Sequence, residues 1–297
     1  MMRVAILGST GMLGSALTRF METEPFQIIE FNRLGKSVNG KNKVLKVNLL
    51  EEYNLIEMFG QLNIDFVVNS IGMIKQVINE QNDEDVAAAR RINSEFLENL
   101  NIYSLTTGTR VIQIGTDCVY SGKTGDYSEL SPFDPNDVYG LTKTIGEQSL
   151  SEAMLIRCSI IGREIRSSVS LLEWVLKQPH GAKINGFTNH LWNGVTTLQF
   201  SEIVSGVIKS DSFKKGRIHL VPSDVVSKNK LIRMIANEFG REDIEICDFV
   251  AENAINRSLV TVEPARNLQM WQASGYNRVP SIQEMVSKYA EWTSEID

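Results

Sequence analysis

Hydrophobic positions in the first half of the chain follow two alternating rhythms. Short apolar runs occur at residues 3–8 ("RVAILG"), 26–33 ("FQIIEFNR"), 65–70 ("DFVVNS"), 110–116 ("RVIQIGT") and 153–161 ("AMLIRCSII"). Between them, residues 12–22, 49–62, 83–105 and a stretch around Tyr139 carry apolar residues three or four apart. The runs predict strands and the wider period predicts helices. Strand and helix in alternation predict βαβ units, hence an α/β fold with a parallel sheet covered on both faces. Beyond Gly162 the rhythm loosens. Residues 167–178, 199–210 and 228–240 read as helices and 217–223 as a strand. The expected division is a nucleotide-binding domain over 1–160 and a smaller, mixed, mainly substrate-binding lobe over 161–297. A segment near 195–222 is expected to fold back onto the first domain.

Composition narrows the function classes. The chain has 297 residues, 42% apolar and 22% charged, a net charge of −6 and a pI of about 5.3. With no basic tract, nucleic acid is not an expected partner. The apolar runs are strand-sized, which argues against a membrane span. The first run is too short for a signal peptide and leads into glycines. Cys118, Cys158 and Cys247 are scattered and odd in number, which points to a reducing, cytoplasmic setting. His180, His190 and His219 show no ligand spacing, so no metal is expected.

Candidate chemistry begins at "GSTGMLG", between the first strand and the first helix. Gly8 permits a tight turn, Gly11 lets backbone approach a pyrophosphate, and Gly14 lets helix and strand pack closely. Thr10, Met12 and Leu13 complete the expected phosphate cradle, where the helix N-terminus presents N–H groups. The spacing is GxxGxxG, and another α/β protein could use it only as a tight turn. In this position it predicts a Rossmann-type doubly wound sheet. At the end of the second strand, where an Asp or Glu would hold the ribose of NAD, stand Asn32 and Arg33. Asn32 does not repel a 2′-phosphate and Arg33 can pair with one, so NADP(H) is the expected cofactor, with NAD(H) the alternative. The alternative for Arg33 is an ordinary solvated surface residue. Glu30 stands two positions too early for the ribose.

The stretch "DVYGLTKTIGE" places Tyr139 and Lys143 four residues apart, on one helix face. An ammonium beside a phenol is expected to lower the phenol's pKa, and a tuned tyrosine can protonate a carbonyl that receives a hydride. Thr116, at the end of the preceding strand, can hydrogen-bond the same carbonyl. A lone YxxxK would more often be a surface pair; here it follows a nucleotide-binding half and a strand ending in threonine.

With these motifs, and with "DFVVNSIG", "RRINSEFLENL", "IGTDCVYSG", "LIRCSIIG", "NGVTTLQFSEIV" and the tail "NRSLVTVEPARNLQMWQASGY", the chain resembles the extended short-chain dehydrogenase/reductases. The resemblance spans nearly the whole chain and is greatest to the dTDP-4-dehydrorhamnose reductase-like group. It implies that Thr116, Tyr139 and Lys143 carry the chemistry, with Lys143 also on the nicotinamide ribose. It also implies that Asn69, Ser70, Ile71 and Gly72 pass close to the cofactor. Asn93 matches an asparagine of the family's long helix and reads as structural. Where relatives carry a small, alanine-rich stretch and then tyrosine, this chain has "SIGMIKQ", so Lys75 is a substrate-side candidate and the substrate can differ. Asn189, Trp192 and Asn193 occupy another substrate-side loop, with core packing the alternative for Trp192. Arg257 resembles a late basic residue that meets a nucleotide diphosphate; a surface salt bridge is the alternative.

The related 4,6-dehydratases carry Thr-Asp-Glu after the catalytic strand. This chain has Thr116, Asp117 and Cys118, and a thiol is a poor substitute for the glutamate base. The expected activity is therefore NADPH-dependent reduction of a nucleotide-linked 4-keto-6-deoxyhexose in surface polysaccharide synthesis. Asp117 and Cys118 would face the sugar, and a homodimer is the expected assembly. The alternatives are a C4 epimerase with bound NAD and a non-catalytic nucleotide-binding regulatory subunit.

Overall fold

The computed structural model describes residues 1–165 and 169–296. Its central sheet has seven parallel strands: β1 (Met2–Leu7), β2 (Phe26–Asn32), β3 (Lys43–Lys46), β4 (Phe66–Asn69), β5 (Arg110–Gly115), β6 (Met154–Arg157) and β7 (Gly216–His219). Their spatial order is β7-β6-β5-β4-β1-β2-β3. The order reverses between β1 and β4, so the strand ends open a crevice there, the usual ligand position in a doubly wound sheet.

The apolar runs are continuous because both faces of the sheet are covered. Val4, Ile6, Phe66, Val68, Ile112 and Ile156 point to one core. Ala5, Leu7, Ile29, Phe31, Val67 and Val111 point to the other. This is the period-two alternation of a strand buried on both sides. The first core is closed by α1 (Met12–Met21) and by α7 (Thr197–Lys209), almost wholly buried. The second is closed by α2 (Leu55–Phe59) and α4 (Phe96–Thr107), which continues α3 (Asp83–Arg90). β7 pairs with β6, Ile218 opposite Ile156, so a late segment of chain completes the sheet.

Several elements differ from the sequence expectation. The helix expected over 49–62 shrinks to α2, because the Asn54 side chain caps it by accepting from the N–H of Ile56 and Glu57. The preceding carbonyls of Leu49 and Glu51 instead accept from Arg91. The helix over 83–105 is continuous but widens to a π turn at Arg91–Glu95. The run over 153–161 breaks after β6, and Ile160–Ile161 pairs separately with Val195–Thr196. β3 carried no distinct signal; it is four residues long, edged by lysines, and lies at the sheet's rim. The helix expected over 167–178 is α6 (Leu171–Leu176), and residues 167–168 of that span lie outside the described residues. Three further helices are α8 (Lys228–Glu238), α9 (Pro264–Ala273) and α10 (Ile282–Ile296), of which only α8 was expected from periodicity. Among the described residues no helix is long and apolar enough to cross a membrane.

Candidate active site

The glycine turn sits at the reversal of strand order. Gly8 has φ +83°, a left-handed conformation that suits glycine. A Cβ on Gly14 would overlap the Gly8 carbonyl oxygen, so only glycine lets α1 start this close to β1. Gly11 caps α1 with no side-chain hydrogen bond. The first-turn N–H groups therefore face the crevice, which is how a helix N-terminus receives a phosphate. Thr10, Gly11 and Met12 are at the surface of this cradle, while the Leu13 side chain is buried beneath it. The segment after β4 crosses the turn. A Cβ on Gly8 would lie 3.0 Å from Ile71 Cγ1 and 3.1 Å from Ser70 Oγ. Gly72 is exposed just beyond.

The two asparagines at strand ends act within the protein. Asn32 donates from Nδ2 to Ser9 Oγ at 2.8 Å and to the Lys36 carbonyl at 2.9 Å, and accepts from Leu34 N. Asn69 donates to Gln113 Oε1 at 2.7 Å and accepts from Ile71 N at 3.0 Å. Both amides shape the loops that flank the crevice, and Asn32 brings no charge to the strand end. Glu30 is fully buried and accepts from Ser37, Val38 and Asn42, so no carboxylate is offered to a ribose. Arg33 is exposed and has no hydrogen bond or ion pair among the described residues.

Opposite the cradle lies α5 (Val138–Gln148), whose N-terminus is capped by Asp137 accepting from Gly140 N at 2.7 Å. A Cβ on Gly140 would overlap the Cys118 carbonyl, so this glycine lets α5 pack directly on the turn after β5. Tyr139 is thereby brought beside Thr116, whose side chain acts to lower the pKa of the phenol. Lys143 follows one turn later on the same face. It is only 4% exposed, yet its ammonium makes no hydrogen bond or ion pair among the described residues. An ammonium left without a protein partner in so enclosed a position is available to a ligand oxygen. The glycine cradle and this orphaned ammonium both fit a dinucleotide laid across the strand ends.

The electrostatics correct one expectation. The phenol of Tyr139 is not lowered by the lysine. Burial raises its pKa, Cys118, Asp117 and Glu147 add to the rise, and the Thr116 side chain opposes it. Lys143 is pushed below the usual ammonium range by burial, with Glu147 opposing and Arg157 assisting. In the protein alone, Tyr139 is a protonated donor, the form that a general acid requires.

Over residues 2–260 the sequence matches the family described as RmlD substrate binding domain. The chain belongs to that family. It is 25% identical over 248 residues to the spore coat polysaccharide biosynthesis protein SpsK of Bacillus subtilis, covering 82% of this chain and 81% of that one. It is 27% identical over 169 residues to methionine adenosyltransferase 2 subunit beta of Rattus norvegicus, covering 55% of this chain and only 48% of that protein. The fold is shared with dTDP-4-dehydrorhamnose reductase of Bacillus anthracis, solved in complex with NADP, with a TM-score of 0.77, 16% identity and coverage of 99% and 100%.

Within this RmlD-family fold the substrate-side candidates divide. Asp117 and Cys118 stand next to the phenol. Arg257 donates to the Tyr120 carbonyl at 2.9 Å and reaches Cys118 Sγ at 3.8 Å, so it belongs to this cluster, and it makes no salt bridge among the described residues. Burial pushes the Cys118 thiol up to about 12 and raises Asp117 as well. Trp192 is buried and donates to Ser159 Oγ at 2.9 Å, the packing alternative. Three other candidates are internal clamps. Asn193 exchanges two hydrogen bonds with the backbone of Leu259, and Asn189 does the same with Ala251. Lys75 bridges Asp137 at 2.9 Å and so ties its own loop to the start of α5.

Sequence reasoning missed Lys228 and Glu147. Lys228, the first residue of α8, lies with its Nζ 5.5 Å from the Trp192 ring centroid and has no hydrogen bond among the described residues. Burial brings it down to about 8, while Asp117 and Cys118 act to raise it, which places it by the same cluster. Nothing in "SKNKLIRM" separates this lysine from a solvated one. Glu147 could have been found, because it continues the four-residue spacing of Tyr139 and Lys143.

Proposed function

We propose that the protein is an NADPH-dependent reductase of a nucleotide-linked 4-keto-6-deoxyhexose. The reading rests on one juxtaposition: Tyr139 and Lys143 on one face of α5, the phenol beside Thr116, facing a glycine cradle at the sheet's switch point. The reduced nicotinamide would supply a hydride to the sugar carbonyl. Tyr139 delivers the proton from its hydroxyl to the carbonyl oxygen, and Thr116 orients that oxygen with a hydrogen bond. Lys143 holds the nicotinamide ribose. The Met12, Leu13 and Gly14 amides receive the pyrophosphate. Arg33, free and exposed, pairs with a 2′-phosphate, and the burial of Glu30 removes the acid that would reject one. The similarity to SpsK supports a role in polysaccharide synthesis.

Dehydration is disfavoured by Cys118, because a thiol held near 12 supplies no base at neutral pH. The similarity to methionine adenosyltransferase 2 subunit beta favours a second reading, a regulatory subunit. The set of Thr116, Tyr139 and Lys143 argues for the reductase, since a regulatory role would not need it. The test offers 4-keto nucleotide sugars, made in situ by a dehydratase, and follows NADPH absorbance. One equivalent of NADPH is consumed per product, and Tyr139→Phe lowers single-turnover hydride transfer by about 10²–10⁴-fold. Purified protein that carries tight NAD and interconverts substrate without net oxidation would instead be an epimerase.

A further inference from the structure

Glu147 lies one turn beyond Lys143 and two beyond Tyr139, so the three side chains share a face of α5. Its carboxylate is fully buried. One oxygen accepts the Thr116 backbone N–H at 3.4 Å, and the other pairs with the guanidinium of Arg157. Arg157, at the end of β6, is also fully buried; its Nη1 donates to the Tyr120 hydroxyl at 3.0 Å and meets His219 Nε2 at 2.9 Å.

We infer that Glu147 is a positioning residue that keeps the Lys143 ammonium charged in a closed site and fixes the backbone carrying the Thr116 hydroxyl. This rests on the proposed reading of Lys143 as the cofactor's ribose contact. A buried ammonium without an anion nearby gives up its proton. The charged groups that act on Lys143 are Glu147 from its own helix, which sustains the charge, and Arg157 from β6, which opposes it more weakly. Arg157 has a second effect. By pairing with the outer oxygen it holds the carboxylate away from a direct bridge to Lys143, which would occupy the ammonium. His219 adds no charge at neutral pH. Its Nε2 accepts from the always-protonated Arg157, its Nδ1 donates to the Val260 carbonyl at 2.8 Å, and burial brings it down to about 4. The arrangement thus supports Lys143 at a distance and leaves its donors free.

The test is NADPH affinity of the full chain as a function of pH, read from the fluorescence of the bound nucleotide. In the parent, affinity falls at alkaline pH as Lys143 loses its proton. Glu147→Gln keeps an acceptor for Thr116 N–H but removes the charge. Its fall begins about one pH unit lower, with affinity near the parent's on the acid side. Should the unpaired Arg157 prevent this variant from folding, the Glu147→Gln/Arg157→Met pair decides, because it removes both charges and the stronger effect is that of Glu147. Its midpoint then lies below the parent's by a smaller amount. A midpoint equal to or above the parent's in the variant that folds, or affinity lowered equally at every pH, overturns the role. Lys143→Met separates this from the underlying reading: if it keeps the parent's affinity and pH profile, the lysine does not hold the cofactor. A flattened profile there, with an unshifted Glu147→Gln, sinks the Glu147 role alone.

Discussion

The two sides of the crevice are built differently. The cradle side is made of consecutive residues, 8 to 14, and acts through backbone: a left-handed glycine, a helix start without a side-chain cap, and a glycine against which no Cβ fits. The opposite side is made of side chains from distant segments: Asp117 and Cys118 after β5, Trp192, Lys228 and Arg257. A backbone site tolerates little, because its shape is set by the absence of atoms. A side-chain site can be altered one contact at a time, which is where relatives on one fold come to differ in substrate.

That contrast orders the expected effects of mutation. Gly14→Ala should be the most damaging, although alanine is the better helix former by about 1 kcal/mol. The added methyl displaces the Gly8 carbonyl or α1 and costs about 1–3 kcal/mol of stability, while cofactor binding by the distorted turn is lost. Thermal melts with and without NADPH check both parts; a variant that melts and binds like the parent would show that the turn yields easily. Arg33→Asp comes next. Replacing a charge-assisted pair by repulsion weakens NADPH binding by roughly 1.5–3 kcal/mol, with NADH affinity unchanged or improved. Equal affinity of the parent for the two nucleotides removes the basis for that expectation.

Smaller effects are expected across the crevice. Lys228→Met keeps the aliphatic stem against Trp192 and removes the ammonium, so KM for the sugar nucleotide should rise about five- to tenfold, the worth of about one ordinary hydrogen bond, with NADPH affinity unchanged. Asn193→Ala is the control for the same face. It releases the Leu259 backbone, so it should lower thermal stability by about 1–2 kcal/mol and leave the KM close to the parent's. If the outcomes were reversed, the division between substrate contacts and internal clamps would be wrong.

How much could be read in advance follows the same line. The parallel sheet was legible because its inner strands are buried on both faces and write continuous apolar runs. β3 was not, because a four-residue rim strand has lysines at both ends and exposes much of its length. The helix over 49–62 misled because apolar spacing does not reveal that Asn54 prefers to cap. The i, i+4 relation of Tyr139 and Lys143 was legible from helix geometry alone. The state of the phenol was not. Its pKa depends on burial and on Cys118, Asp117 and Glu147, and the neighbouring lysine does not lower it.

By itself, the sequence determined the alternation of strand and helix, the glycine turn at its start, and the face shared by Tyr139, Lys143 and Glu147. Each of these is set by interactions over fewer than about ten residues, or by a period that burial imposes on neighbours. Tertiary structure alone decided which polar residues are free. Asn32, Asn69, Asn189 and Asn193 have amides that could serve a ligand, yet each is committed to a backbone partner within the fold. Arg33, Lys143 and Lys228 are ordinary cations in the sequence, and the fold leaves them without a hydrogen-bonding partner among the described residues. A side chain's availability is what remains after every other segment has taken its hydrogen bonds, so it is settled only when those segments meet.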